Sequence, residues 1–351
     1  MAEGAGSAPQ AFPPNAMLVG RHGAIMPPKR MRFIAKLLAL APAVFLIGQS
    51  SAQQIHTYTG LCDASAASAL GKDHFVVADD ERNTLVIYKL NQPEPAHSID
   101  LSAFLGTKED KESDIEGAAA IGKRIYWISS HGRNSSGEVQ KRRYRFFATD
   151  KDEQTPTTLA PVGKPYTTLL DDLIAAPELK KYRIADAASR APEAEGGLNI
   201  EGLTAMPYGG LLIGFRNPIP GNLALIVPIK NPAEMIKGTK PQFGKPIELA
   251  LGGRGIRSIE RVGKEFMIVA GPPADDGSFM LYRWSGKADD KAQAIPGIEV
   301  SGLFPEALIA VPNSTQTLLL SDDGGVKSRG VACKNKEKSK QSFRARIVEQ
   351  K

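Results

Sequence analysis

Three carboxylates stand at one register of a weak internal repeat: Glu116 in Ile115-Glu116-Gly117, Glu201 in Ile200-Glu201-Gly202 and Glu306 in Pro305-Glu306-Ala307. Arg257 occupies the same step of another copy, and Arg216, Arg133 and His131 fall close by in the repeat. Carboxylates gathered on one axis repel unless something neutralises them. A hard divalent cation, Ca2+ or another, is one solution, with Glu116, Glu201 and Glu306 as its oxygen ligands. Arg257 and Arg216 as internal counter-ions are the other. With a cation present, the set could hydrolyse a phosphate ester or lactone. The metal would polarise an oxygen, Arg257 and Arg216 would stabilise developing charge, and His131 would handle a proton. Without one, Arg133, Arg216 and Arg257 are suited to hold an anion bidentately, so the face would orient a small anionic ligand, a glycan or a partner protein. A ring of repeats licenses no chemistry by itself, so binding is the first expectation and metal-dependent hydrolysis the alternative.

Several chemistries are excluded by the motifs they need. The chain has no Gly-x-Ser-x-Gly elbow, no Walker phosphate loop, no Gly-x-Gly-x-x-Gly fingerprint and no histidine pair at helical spacing, which argues against a nucleotide cofactor. The net charge of +6 comes from the two ends. Residues 53–326 hold 30 Lys and Arg against 35 Asp and Glu, so the body is mildly acidic and no nucleic-acid partner is expected. The run Lys334 to Lys340 reads as a solvated loop.

The elements that must position these residues are short strands. Asp63 to Asn83 aligns without a gap on Asp114 to Asn134 at an offset of 51 residues, and further copies begin near Asn199, Gly255 and Phe304. A period near 50, built of short apolar runs and Gly-Lys, Tyr-Gly-Gly and Asp-Asp-Gly turns, is the pattern of propeller blades. The expectation is an all-β chain forming a β-propeller of five blades, with six as the alternative. The last blade lacks a strand, and His56-Thr-Tyr-Thr59 can supply it. Thr167 to Ala176 has apolar residues at helical spacing behind a Thr cap and reads as an inserted helix. In each copy the start of the first strand and the end of the second share a face. That face should collect Asp114, Glu116, Glu201, Arg257 and Glu306 around the axis, with Asp79, Asp80, His131, Arg133, Arg216, Asn217, Asp322 and Asp323 further out. Ser65 takes the place of Glu in the first copy.

The N-terminus bears on compartment. Met31 to Lys36 is basic, Leu37 to Gly48 is apolar and Ser50-Ser51-Ala52 is a small-residue cleavage site, so residues 31–52 read as a signal peptide. Residues 1–30 read as disordered or as the product of a start codon placed upstream of the true one, and 53–351 as one propeller domain without a membrane span once the signal is cleaved. A periplasmic or secreted bacterial protein is expected. In an oxidising compartment the only two cysteines, Cys62 and Cys333, are well placed to join the ends of the ring; free thiols are the alternative.

Asp114-Ile-Glu-Gly-Ala-Ala with Ile128-Ser-Ser-His-Gly-Arg-Asn134, and Asn199-Ile-Glu-Gly-Leu-Thr-Ala with Ile213-Gly-Phe-Arg-Asn-Pro218, resemble a family of bacterial exported proteins classed only as a domain of unknown function. The resemblance covers most of residues 55–348. More distantly the Glu-Gly steps are similar to those of esterase-like phytase and gluconolactonase-type propellers, where such a Glu helps hold a divalent metal. That resemblance implies a ligand role for Glu116 or Glu201. The chain departs from the lactonases in lacking their Asn and Asp ligand pattern in register.

Overall fold

A computed structural model describes residues 54–349 apart from 80, 110, 153, 275, 276 and 299. The segments 1–30 and 31–52, the latter read as a signal peptide, lie outside the described residues. Ser51–Lys351 forms one compact unit.

That unit is a five-bladed β-propeller. Each blade is a four-stranded antiparallel sheet. Blade 1 runs Ala64–Leu70, His74–Asp79, Thr84–Lys89 and Pro95–Asp100 from the axis outward. Blade 2 runs Ile115–Ile121, Arg124–Ser129, Phe146–Lys151 and Leu159–Tyr166. Blade 3 is Asn199–Ala205, Leu211–Asn217, Ala224–Ile229 and Ile247–Leu249. Blade 4 is Gly255–Val262, Glu265–Gly271, Met280–Trp284 and Gln293–Ala294. Blade 5 takes Pro305–Ala310, Gln316–Ser321 and Ser342–Glu349 from the end of the chain and Ile55–Thr59 from its start. The N-terminal strand pairs antiparallel with the C-terminal one, Ile55 facing Arg346 and Thr59 facing Ser342, so the ring closes by a shared sheet. That pairing covers an edge that would otherwise be open. The Cys62–Cys333 disulfide, spanning 271 residues of sequence, ties the same seam.

The core is divided among the joints between blades. Leu70, Val76, Trp127 and Phe147 fill the first joint; Leu212, Ile226, Ile256 and Phe266 fill the third. The second joint is the largest, because the inserted segment adds to it. Its helix Leu169–Ala175 buries Leu169, Leu170 and Leu173, and the turns after it, Pro177–Tyr182 and Ile184–Ala188, add Leu179, Tyr182 and Ile184. The expected helix is therefore present, as a clamp over blades 2 and 3. No described helix is long and apolar enough to cross a membrane.

Candidate functional site: the axial face

All five innermost strands carry the same defect. Pairing with the second strand slips between Ala64 and Ala66, Ile115 and Gly117, Ile200 and Gly202, Ile256 and Ser258, and Pro305 and Ala307. The residue left out of register is Ser65, Glu116, Glu201, Arg257 or Glu306 in turn, and each is buried. A bulge leaves its extra residue unpaired and re-aims the side chain, which is why one register of the repeat delivers five side chains to one end of the axis. The residue after each bulge is small: Ala66, Gly117, Gly202, Ser258 or Ala307. A Cβ on Gly117 would lie 2.8 Å from Leu203 Cβ and from Ile128 Cγ2, and one on Gly202 2.8 Å from Ile256 Cγ2. The glycine of the Glu-Gly step therefore lets neighbouring inner strands approach.

Arginines neutralise two of the three glutamates. Arg216 Nη1 donates to Glu201 Oε1 at 2.8 Å, and Asn199 Nδ2 donates to the same oxygen at 3.1 Å. Arg257 Nε lies 3.0 Å from Glu201 Oε2 as an ion pair without a directed hydrogen bond, while its Nη2 donates to Glu306 Oε1. Arg257 is thus shared by blades 3 and 5. Its Nη1 is buried and donates to nothing, and Phe279 lies over the guanidinium with its ring centre 5.6 Å from Cζ. Burial pushes the Glu306 carboxyl up to about 8, against the pull of Arg257. Burial, then the charges of Glu201, Asp114 and Glu306, hold Glu116 well above the usual carboxylate range. The Arg216 guanidinium is held in its charged form by Glu201 and Glu306 although burial opposes it.

Below this network a cavity of about 10 Å3 sits among Ser65, Glu116, Glu201 and Ser258. That is roughly the room one water needs. Ser65 Oγ is buried with no hydrogen-bond partner. Among the described residues, no group of three His, Cys, Asp or Glu side chains is arranged to hold a metal ion. Glu201 and Glu306 face guanidinium groups instead.

Around the axis the remaining polar residues build walls. Asp114, at φ 57°, accepts from Ser130 Oγ and pairs with Arg143 Nη1 at 2.9 Å; Arg143 and Arg142 also clasp Glu112. Burial opposes ionisation of Glu112, yet Arg143 and Arg142 hold its pKa below the usual range. Arg133 donates to the carbonyls of Ala188 and Gly137, at 2.8 and 2.9 Å, so it anchors the inserted segment. Asn217 Nδ2 does the same through the carbonyls of Pro192 and Ala194. His131 is sealed in, with Nδ1 2.7 Å from the Ser129 carbonyl and its ring stacked on Tyr144. Burial lowers its pKa to about 4, so it is neutral at physiological pH. Ser129 Oγ, its neighbour, is likewise buried without a partner.

At the seam of blades 1 and 5, Asp63 packs against Gly324 and interacts with Asp322. Burial, then the charges of Asp322, Glu81 and Asp79, push Asp63 up to about 9. Asp323 accepts from Arg344 through both carboxylate oxygens, at 2.7 and 2.9 Å. Asp80 lies outside the described residues. The roles of Arg142, Arg143 and Arg344 were not read from sequence, since each sits outside the repeated step.

The sequence matches the family described as "Protein of unknown function (DUF3616)" over residues 63–160 and 139–304. No curated protein matches it. Among solved structures it is similar to glutaminyl cyclase of Myxococcus xanthus, at 11% identity and TM-score 0.42, over 85% of this chain and 96% of that one. It is also similar to the Cps50 (Swd1) β-propeller domain of Myceliophteria thermophila, at 10% identity and TM-score 0.40, over 85% and 100% of the two chains. A protein of unknown function from Bacteroides caccae aligns at 13% identity and TM-score 0.34, over 73% and 67%.

Proposed function

Since the chain belongs to the DUF3616 family of proteins of unknown function, built here as a five-bladed propeller, we propose that it is an exported binding protein that takes a small anionic ligand on its axial face. Arg257 carries the reading: a buried guanidinium whose Nη1 has no acceptor is costly unless something meets it. A carboxylate or phosphate oxygen is the acceptor that suits it. Burial and the charges of Glu201, Asp114 and Glu306 disfavour ionisation of Glu116, so Arg216 and Arg257 are opposed chiefly by the Glu201 and Glu306 carboxylates they touch. Export is supported by the leader-like residues 31–52 and by the disulfide, which suits an oxidising compartment.

The test is calorimetric titration of inorganic phosphate and of a panel of mono- and dicarboxylates into residues 53–351, with Arg257→Lys as control. Saturable heat that this substitution removes is the expected result. Absence of heat with every anion would sink the anion reading. Saturable calcium binding to chelator-treated protein, lost in Glu116→Gln, would overturn it in favour of a metal centre and reopen hydrolysis.

A further inference from the structure

Blade 5 departs from the others between its second and third strands, where residues 322–341 make a long excursion on the axial side of the ring. Its outer part is a small hairpin, Lys327–Ser328 paired with Val331–Ala332, turning through Arg329 at φ 51°. Lys327, Arg329 and Lys336 make no ion pair among the described residues, whereas Lys334 meets Glu81, Lys340 meets Glu337 and the charge of Lys338 acts on Asp79. Surplus positive charge of this kind stands out on a body whose residues 53–326 are mildly acidic.

The excursion is pinned at its root. Cys333 is held by the disulfide to Cys62, and buried Gln341 donates to the carbonyls of Lys334 and Lys336 while accepting from Arg82. Ordering entropy is therefore spent on folding and not at a later contact. At the hairpin tip Val331 is 47% exposed, next to the cations.

We infer that this hairpin is a docking surface for an anionic lipid bilayer. Basic residues near such a surface are each attracted to its negative potential, and an apolar side chain at the tip gains by entering the headgroup boundary. A soluble acidic polymer would use the cations but leave Val331 without a counterpart. The inference stands apart from the axial anion site, since it uses none of its residues.

Sedimentation of residues 53–351 with phosphatidylcholine vesicles containing roughly a third phosphatidylglycerol tests it. Binding to these and not to pure phosphatidylcholine is expected. The double variant Lys327→Gln/Arg329→Asn should lower the partition coefficient about thirtyfold, since each cation is worth about fivefold. Asn is chosen because it tolerates a positive φ. Val331→Ser should weaken binding further with charge unchanged. An unaltered melting temperature and intact disulfide would show that the variants fold. No binding, equal binding to neutral vesicles, or variants that bind as the parent does would each overturn the inference. So would equally strong binding to soluble polyglutamate, which would assign the hairpin to a polyanion in solution.

Discussion

Arg257 meets Glu201 with one side of its guanidinium and Glu306 with another, so its removal leaves Glu306 without its ion-pair partner and Glu201 with Arg216 and Asn199 alone. Arg257→Met should lower stability by about 3–5 kcal/mol in chemical denaturation, the range for breaking a buried pair on one side. Arg257→Lys keeps the charge but not the fork, and should fall between the two. Equal midpoints for Met and parent would mean the network contributes nothing to the fold. The same buried acids shape the dependence on pH. A carboxyl whose pKa is raised by folding contributes stability that is complete below its unfolded value and is lost as pH climbs through the folded one. Asp63, at about 9, and Glu306, at about 8, place that loss on the alkaline side, starting from about pH 4. His131 acts in the opposite sense: with its pKa lowered to about 4, stability is lost as pH falls from about 6.5 through 4. Two raised carboxyls outweigh one lowered imidazole, so the denaturation midpoint should be highest near about pH 4–5 and decline as pH rises towards 9, with His131 making the fall shallower below about pH 6.5. Asp63→Asn should make that decline shallower. A midpoint rising steadily from pH 6 to 9 in the parent would contradict this account.

At the scale of the strand, the repeated Glu-Gly step has two separable halves. The first half is chemistry, aimed at the axis by a bulge. The second is clearance between blades, and it predicts that Gly202→Ala will be destabilising even though no charge changes. The new methyl group would press on Ile256 Cγ2 and on the Gly214 backbone, at a cost of about 1–3 kcal/mol. Gly122→Ala, in an open turn at φ 61°, is a useful comparison because its cost is backbone strain without crowding. A Gly202→Ala protein as stable as the parent would mean that the inner strands can part freely. The repeat made the blades, the borrowed strand Ile55–Thr59 and the inserted helix legible, because each follows from local periodicity. It also brought Glu116, Glu201, Arg257 and Glu306 to one register. Their pairing could not be read in the same way. Whether Arg216 and Arg257 meet Glu201, or a cation does, depends on the rotation from one blade to the next and on side-chain reach, which no local pattern encodes. The same holds for Arg133, which reaches 55 residues along the chain to the Ala188 carbonyl, and for the burial of His131 behind Tyr144.

For the molecule as a whole, closure depends on two fastenings at one seam: the shared sheet of blade 5 and the Cys62–Cys333 bond. A loop of this length is worth up to about 5 kcal/mol by the chain-entropy estimate, although strain and residual structure reduce the measured figure. Cys62→Ser/Cys333→Ser should thus lower the denaturation midpoint by an amount worth about 2–5 kcal/mol, and a reductant should do the same to the parent. No change on reduction would show that the sheet alone holds the seam. Because Ser342–Glu349 lies between Gln316–Ser321 and Ile55–Thr59, the N-terminal strand has nothing to pair with until the last residues of the chain arrive. Four blades can assemble as the polypeptide emerges, first residues first. The fifth cannot, so a chain threaded head-first through a narrow pore would stay an open arc, with its earliest strand idle, until its tail had followed it through.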